Sequence, residues 1–282
     1  MAGASTVNMK SEGLSERFKV TIDEIPQTVV TDEKFLSFLC RAEKFTNQLR
    51  CSKEGHRIIV GVVGGAGSGK STFCSILRDA INRQANANIA ATIGMDGYHF
   101  TNQYLNSTPI PGRNTGEMLG TVKGDLETID AESIFIDLCK LKVVDKHGIK
   151  EKNIYFPVYD RKLHDPVQNK ICITPQQTII FFEGLHLLTN DKSYWYKIRS
   201  LFDGIIGLNV SIDKCKKRVI ERRVRQGKSE EDSLKHFERN DLHTHQRIRN
   251  EISRLRRITE DPQALNFLIF DDAELEVPTH TD

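Results

Sequence analysis

One stretch of the chain has the residue types and spacing of a phosphate-binding loop. In GGAGSGKST, Gly64, Gly69, Lys70 and Ser71 follow the pattern G-x-x-x-x-G-K-S, in which glycines let successive backbone N–H groups turn toward phosphate oxygens. Lys70 would reach the terminal phosphates of a nucleotide, and the Ser71 hydroxyl would bind Mg²⁺. The alternative is a glycine-rich turn that merely begins a helix. We expect this stretch, called here the phosphate loop, to bind ATP through Gly64, Gly65, Ala66, Gly67, Ser68, Gly69, Lys70, Ser71 and Thr72.

Two acids stand where apolar runs end. Asp96 follows NIAATIGM and Glu183 follows TIIFF, and a glycine comes directly after each acid. Ligands of open parallel sheets bind beyond the carboxyl ends of the strands. There, Asp96 can accept the proton of an attacking hydroxyl, and Glu183 can hold a Mg²⁺-bound water or orient the acceptor. The alternatives are a side-chain turn cap for Asp96 and a helix N-cap or turn for Glu183.

An arginine-rich segment is expected to be helical near residues 214–232. Gly227 is expected to end a first helix and Ser229 to begin a second. A lid over ATP needs planar guanidinium groups that neutralise phosphate charge and exclude water on closure. The alternatives are a solvated basic face paired with nearby glutamates and, helped by RIRNEISRLRR at 247–257, a surface for nucleic acid. The arginines are Arg218, Arg222, Arg223 and Arg225, of which the first three are expected to contact ATP.

The surrounding elements alternate between strands and helices. RIIVGVVGG is a continuous apolar run, typical of a parallel strand covered on both faces, and STFCSILRDAINRQ and DAESIFIDLCKLKVV read as helices between such strands. This order predicts an α/β fold with an open, mostly parallel sheet flanked by helices, the P-loop nucleoside triphosphate hydrolase fold, carrying a helical lid. The expected organisation is a disordered lead (1–16), a strand and helix packed on the core (17–52), the main domain (53–272) and a tail (273–282).

Composition gives no sign of other partners. The 282 residues contain 40 Lys plus Arg against 38 Asp plus Glu, so we expect no nucleic-acid partner, and no apolar segment approaches the length of a membrane span. The six cysteines form no C-x-x-C pair and no H-E-x-x-H is present, which disfavours a zinc site and a disulfide scaffold. A cytoplasmic location is expected.

Five motifs in order give the chain a family likeness. GGAGSGKST, MDGYH, KGDLETID, PVYDRKLHDPV and FFEGLHLL resemble the P-loop kinase superfamily of uridine kinase, phosphoribulokinase and type I pantothenate kinase, and most of all its pantothenate-kinase-like and fructose-kinase-like branch. The resemblance implies ATP- and Mg²⁺-dependent transfer of the γ-phosphate to a hydroxyl of a small metabolite, with Asp96 as base and Lys70 and Glu183 assisting. Because kinases of this superfamily often self-associate, the resemblance also makes a homo-oligomer an expectation. It also implies acceptor-side roles for Tyr98, His99, Lys123, Tyr159, Asp160 and Arg161.

Three departures from the family pattern all lie on the acceptor side. The family segment K-G-A-P-x-T-F-D reads KGDLETID, the segment 101–122 is long and rich in turn residues, and E-G-N-Y has become Glu183, Gly184, Leu185 and His186. The acceptor therefore stays open among sugars, nucleosides and pantothenate-like alcohols. A competing function is a P-loop ATPase or nucleotide switch whose altered loop binds a partner protein.

Overall fold

A computed structural model gives the architecture of residues 16–22, 25–31, 33–114, 116–145, 148–149, 152–190, 193–258 and 266–271. The strands are β1 Glu16–Ile22, β2 Ile25–Thr31, β3 Ile58–Gly64, β4 Ala90–Gly94, β5 Val144–Asp145, β6 Gly148–Ile149, β7 Ile154–Asp160, β8 Asp165–Ile173, β9 Ile179–Gly184, β10 Gly204–Asn209 and β11 Asn266–Asp271. The α-helices are α1 Glu33–Ser52, α2 Lys70–Ala85, α3 Asn102–Ser107, α4 Ala131–Lys142, α5 Tyr194–Ser200, α6 Ile212–Arg225, α7 Glu230–His236 and α8 Leu242–Ile258. Short 3₁₀ helices span Met95–Tyr98, Leu119–Val122 and Leu126–Thr128, and a π-helix spans Phe237–Asp241.

A five-stranded parallel sheet forms the centre, in the order β11-β10-β3-β9-β4. Every residue of β3 is buried, as expected for a strand with helices on both faces. The predicted α/β fold with a mostly parallel sheet is therefore confirmed. Because the strands run in one direction, their carboxyl ends meet at one edge, and β9 stands between β3 and β4 there.

Hydrophobic clusters cover both faces of the sheet. On one face, α1 and α2 meet through Phe38 and Phe73, whose ring centroids are 4.6 Å apart. On the other face, α4, α5 and α8 contribute Ile134, Ile198 and Ile252, each at most 1% exposed. Nowhere in the ranges given above is a helix both long enough and apolar enough to cross a membrane.

The amino-terminal region has one strand more than the sequence indicates. β1 matches the predicted strand, but it pairs antiparallel with β2, in which Pro26 stands opposite Thr21. The sequence does not predict β2, because a proline has no N–H to donate and within strands it is tolerated only at edges and strand starts. Pro26 therefore argues against a strand at this point. The helix α1 follows, with Phe35 buried in the core. The expected lead, apart from Glu16, and the expected tail lie outside the described residues.

The hairpin β7–β8 packs on the 3₁₀ turn that follows β4. A Cβ at Gly97 would lie 2.6 Å from the carbonyl oxygen of Pro157, so this close approach of two backbones requires glycine. The Asp165 carboxylate accepts a hydrogen bond from the backbone N–H of Asn102 at 2.7 Å. These contacts bring the hairpin tip to the carboxyl edge of the sheet.

Candidate active site

The phosphate loop connects β3 to α2, as the motif predicts. Gly67 and Gly69 have φ values of +76° and +89°, a conformation that residues with a Cβ adopt rarely. The backbone N–H of Ser68 and the Lys70 ammonium both donate to the Gly65 carbonyl at 3.1 Å. A tight loop of this kind, opening directly into a helix, fits a nucleotide phosphate group.

Lys70 lies among the acids that the sequence singles out. Burial lowers the pKa of its ammonium, while the charges of Glu183 and Asp96 act in the opposite direction. These three side chains are therefore within electrostatic reach of one another, although they come from α2, β9 and the turn after β4.

The Asp96 carboxylate is held ionised at the edge of the sheet. Its Oδ2 pairs with Nη2 of Arg161 at 3.2 Å, and 42% of the side chain is exposed. Burial raises the pKa of Asp96, but Arg161, His99 and Lys70 outweigh it and hold the pKa below its usual value. The following turn is closed by the main-chain carbonyl of Asp96, which the His99 N–H contacts at 3.2 Å. The carboxylate is therefore not needed as a turn cap.

Glu183 sits between the phosphate loop and Asp96. It pairs in register with Val62 of β3 on one side and Gly94 of β4 on the other. A Cβ at Gly94 would lie 3.8 Å from Oε1 of Glu183. The next helix, α5, begins only at Tyr194, so Glu183 is not a helix N-cap.

The residues present fit a Mg²⁺ ion that arrives with a nucleotide. Within the described part of the chain no three His, Cys, Asp or Glu side chains form a metal-binding cluster. Mg²⁺ in nucleotide sites is held by one or two protein groups plus phosphate oxygens, so a cluster is not required. Ser71 and Glu183 are the two protein groups that the sequence predicts for it.

Three further side chains gather around the Tyr159 ring on the predicted acceptor side. The Lys123 ammonium lies 5.1 Å from the ring centroid, the Arg161 guanidinium 5.2 Å and the His99 ring 5.3 Å. Lys123 donates to Oδ1 of Asn102 at 2.5 Å and to the His164 carbonyl at 2.9 Å. The structure thus brings four of the six predicted acceptor-side residues together beside Asp96.

Tyr98 has core contacts instead. It is 4% exposed, its ring packs 6.3 Å from that of Phe182, and its hydroxyl donates to Asp137 of α4 at 2.9 Å. It also lines a cavity of about 490 Å³ between the 3₁₀ turn, α3, α4 and β8. The lining of this cavity includes His99 but neither Asp96 nor the phosphate loop. An acceptor-binding role for Tyr98 stays a prediction that these contacts do not support.

Asp160 closes the tip of the β7–β8 hairpin. Its Oδ1 accepts hydrogen bonds from the backbone N–H groups of Lys162 at 2.8 Å and Leu163 at 3.0 Å, and these bonds lower the pKa of the carboxyl. The contacts match a turn-forming aspartate. The role predicted for Asp160 at the acceptor is therefore not indicated by its geometry.

Helix α6, the predicted lid, lies directly on the phosphate loop. Arg218 Nη1 donates to the Gly67 carbonyl at 3.4 Å, and a Cβ at Gly67 would lie 2.6 Å from the Cys215 carbonyl oxygen. Arg222 is close enough to influence the pKa values of both Lys70 and Asp96.

Arg222 and Arg223 also face Asp241, at the end of the π-helix. Burial raises the pKa of Asp241 to about 6, while the two arginines oppose the shift. Arg225, in contrast, points to the Glu221 carbonyl on the exposed side of α6 at 3.4 Å. The structure thus places Arg218 on the phosphate loop, Arg222 within electrostatic reach of Lys70 and Asp96, and Arg223 beside Asp241, while Arg225 lies on the exposed side.

Two buried histidines support the site, although the sequence assigns neither of them a role there. His245 Nε2 donates to the Ala66 carbonyl at 2.9 Å, and His186 Nε2 donates to the Gly124 carbonyl at 2.8 Å. Burial lowers the pKa of His245 to about 4 and that of His186 to about 3. Only the fold identifies the hydrogen-bond partners of these two histidines.

Comparison with known proteins assigns the family. The sequence profile of the phosphoribulokinase and uridine kinase family matches residues 59–254. The chain belongs to this family. Family members are kinases of small metabolites, and the match covers the phosphate loop, both acids, the hairpin and the lid.

Individual relatives are more distant. A uridine-kinase-like protein of Schizosaccharomyces pombe is 32% identical over 202 residues, which cover 71% of this chain and 81% of that protein. Pantothenate kinase of Coxiella burnetii is 25% identical over 174 residues, 60% of this chain but only half of the relative's length. The crystal structure of YFH7 from Saccharomyces cerevisiae has a TM-score of 0.65 at 18% identity, covering 83% of this chain and 98% of that one, which shows the shared fold.

Proposed function

We propose that this protein is an ATP-dependent kinase that moves the γ-phosphate to a hydroxyl of a small metabolite. The observation that carries the proposal is Asp96: an ionised, partly exposed carboxylate within electrostatic reach of Lys70 and paired with Arg161. The family's members act on small molecules, and the relatives named above are a uridine-kinase-like protein and a pantothenate kinase. A sugar, a nucleoside or a pantothenate-like alcohol is the proposed class of acceptor.

Asp96 would orient the acceptor hydroxyl and accept its proton as the oxygen attacks phosphorus. Because its pKa is low, the carboxylate is ionised at neutral pH and can accept a hydrogen bond before the reaction begins. When the hydroxyl binds, Arg161 can turn from Asp96 toward the acceptor, since it already lies against the Tyr159 ring. Lys123, His99 and Tyr159 would then form the acceptor wall.

The other charged groups would act on the donor. The phosphate loop N–H groups and Lys70 would hold the β- and γ-phosphates, and Arg218, Arg222 and Arg223 would offset their charge from above. Ser71 and Glu183 would hold Mg²⁺, which when bound neutralises phosphate charge. Helix α6, which lies against the loop, would exclude water, so that the acceptor and not water receives the phosphoryl group.

The test is transfer of labelled γ-phosphate from Mg-ATP into separate pools of sugars, nucleosides and pantothenate-like alcohols, with Lys70→Ala in parallel. A labelled product made by the unmutated chain and not by the variant supports the proposal, and its mass identifies the acceptor. Release of labelled phosphate with no labelled metabolite in any pool would favour the ATPase or nucleotide switch instead.

A further inference from the structure

Helix α8 contacts the phosphate loop through one buried residue. His245 is 2% exposed, and its Nε2 donates to the Ala66 carbonyl at 2.9 Å. The ring covers the loop so closely that a Cβ at Gly65 would lie 1.9 Å from its Cε1. Any movement of the phosphate loop at this point must therefore be followed by α8.

The same helix holds the segment that carries Lys123. Arg247 lies two residues beyond His245, and its Nη2 lies 2.6 Å from Nδ1 of His186. Since a guanidinium can only donate, Nδ1 accepts and the ring's one proton is on Nε2, which donates to the Gly124 carbonyl at 2.8 Å. His186 is 1% exposed, so both ring nitrogens are used inside the protein and the ring cannot turn without losing two hydrogen bonds.

Two more contacts join this region to the acceptor segment, defined here as residues 119–128. His243, near the start of α8, pairs with Asp125 at 2.8 Å, and Asn240 of the π-helix donates to the Thr121 carbonyl at 3.4 Å. Lys123, between these points, reaches back to Asn102 and the His164 carbonyl. The acceptor segment is therefore attached to α8 on one side and to the acceptor wall on the other.

We propose that α8 couples the nucleotide site to the acceptor site. His245 moves with the phosphate loop, and the resulting shift of α8 moves Gly124 and Lys123 through the contact of Arg247 with His186. His186, His245 and Arg247 are positioning residues in this scheme, since none of them needs to touch a reacting atom. The inference rests on the proposed function for its purpose, an ordered acceptor wall once ATP is bound.

The coupling has a physical basis in the rigidity of the connection. A helix with buried contacts at both loops has few ways to accommodate one of them in a new position without shifting the other. Ordering of the phosphate loop by a nucleotide then lowers the free energy needed to order the acceptor segment. By linkage, an acceptor would in turn raise the affinity for nucleotide, by a factor of about 5 to 150 in typical cases.

Hydrogen exchange of the full chain tests the coupling without knowledge of the acceptor. Backbone amides of residues 119–128 are measured with and without a non-hydrolysable ATP analogue and Mg²⁺, and nucleotide affinity is measured in the same samples. We expect exchange in this segment to slow about fivefold or more with nucleotide. In Arg247→Gln the analogue should still bind, within about threefold of the unmutated affinity, but the slowing should disappear.

Two further variants keep the test specific. Arg254→Gln removes the same charge from the same helix two turns away, where the side chain faces Glu251 at 3.6 Å, and should retain the slowing. Arg247→Lys keeps a donor for His186 and should restore at least part of it. Circular dichroism and thermal unfolding of each variant show whether it is folded, and His186→Asn replaces Arg247→Gln if that protein does not fold.

The outcomes separate this inference from the proposed function. If the analogue binds the unmutated chain without slowing exchange in residues 119–128, the coupling is wrong and the kinase proposal stands. If Arg247→Gln keeps the slowing, or Arg254→Gln loses it equally, the route through His186 is wrong. If the unmutated chain binds no nucleotide, the proposed function is wrong and the coupling falls with it.

Discussion

Replacing Gly65 by alanine should damage the phosphate loop through a clash with one identifiable side chain. The added Cβ would lie 1.9, 2.1 and 2.5 Å from three atoms of the His245 ring, far inside ordinary contact distances. The ring cannot simply turn away, because Nε2 is bonded to the Ala66 carbonyl and the ring packs 5.6 Å from that of Phe237. Either His245 or the loop must move.

The size of the effect follows from overpacking. Inserting a methyl group into a well-packed site costs about 1–3 kcal/mol of unfolding free energy. His245→Ala alone should cost a similar amount, because it removes packing and leaves a buried carbonyl without its donor, at about 1–3 kcal/mol. In the double variant the alanine methyl enters space that the imidazole has left. The double variant should therefore lose about 1–3 kcal/mol less unfolding free energy than the two single losses added together.

Urea unfolding of the four proteins, with Mg-ATP affinity measured alongside, checks this coupling. Gly207→Ala is a suitable control, because the nearest side-chain atom to its Cβ would be 3.6 Å away and little change is expected. ATP affinity should fall in Gly65→Ala and partly recover in the double variant. Single losses that add to within about 0.5 kcal/mol would refute the close packing of His245 on Gly65.

Three other predictions address the lid, the buried histidine and the acceptor wall. Arg222→Gln should lower kcat/KM for ATP about 10- to 100-fold, since a charge-assisted phosphate contact is lost. Arg225→Gln, on the exposed side of α6, should leave kcat/KM nearly unchanged. Equal losses in the two variants would contradict the assigned orientations. His186 has a pKa of about 3 in the folded chain against an ordinary 6.5, so its stabilising contribution is present above pH 6.5 and declines as pH falls toward 3. In urea unfolding, the difference in unfolding free energy between the unmutated chain and His186→Asn should be about 2 kcal/mol smaller at pH 5 than at pH 7. An unchanged difference would show that the ring is not held neutral. Tyr98→Phe removes a hydrogen bond to Asp137 and should cost about 0.5–1.5 kcal/mol of unfolding free energy with no change in the KM for the acceptor. A raised KM at unchanged stability would show that Tyr98 contacts the acceptor.

The sequence predicts where the phosphate loop and the two acids lie better than it predicts the contacts of Tyr98 and Asp160, and the geometry of parallel sheets explains the difference. The phosphate loop and Asp96 come directly after buried strands and Glu183 lies at the end of one, and the carboxyl ends of parallel strands meet at one edge. Local sequence therefore predicts the proximity of these groups without knowledge of long-range packing. The glycine positions of the loop are equally local, because they depend on backbone conformation.

The remaining features depend on contacts between distant parts of the chain. His245 reaches Ala66 across 179 residues and Arg247 reaches His186 across 61, and neither histidine stands in a motif that indicates its partner. Asp160 was expected at the acceptor because it belongs to a family segment, but its position at the hairpin tip gives its carboxylate two backbone N–H groups to bind. The strand β2 was missed because its proline is an exception to the usual composition of strands.

The role of Asp96 as the base can be tested by the effect of Asp96→Asn on phosphoryl transfer to the acceptor found in the labelling experiment. Asp79→Asn is the matched control, since Asp79 lies on α2 and pairs with the neighbouring Arg78 at 2.7 Å. Loss of the carboxylate that accepts the hydroxyl proton should lower kcat about 10²- to 10⁴-fold with Mg-ATP affinity almost unchanged, while the control keeps full activity. Full turnover in Asp96→Asn would show that Asp96 is not the base and that the acceptor hydroxyl loses its proton to another group.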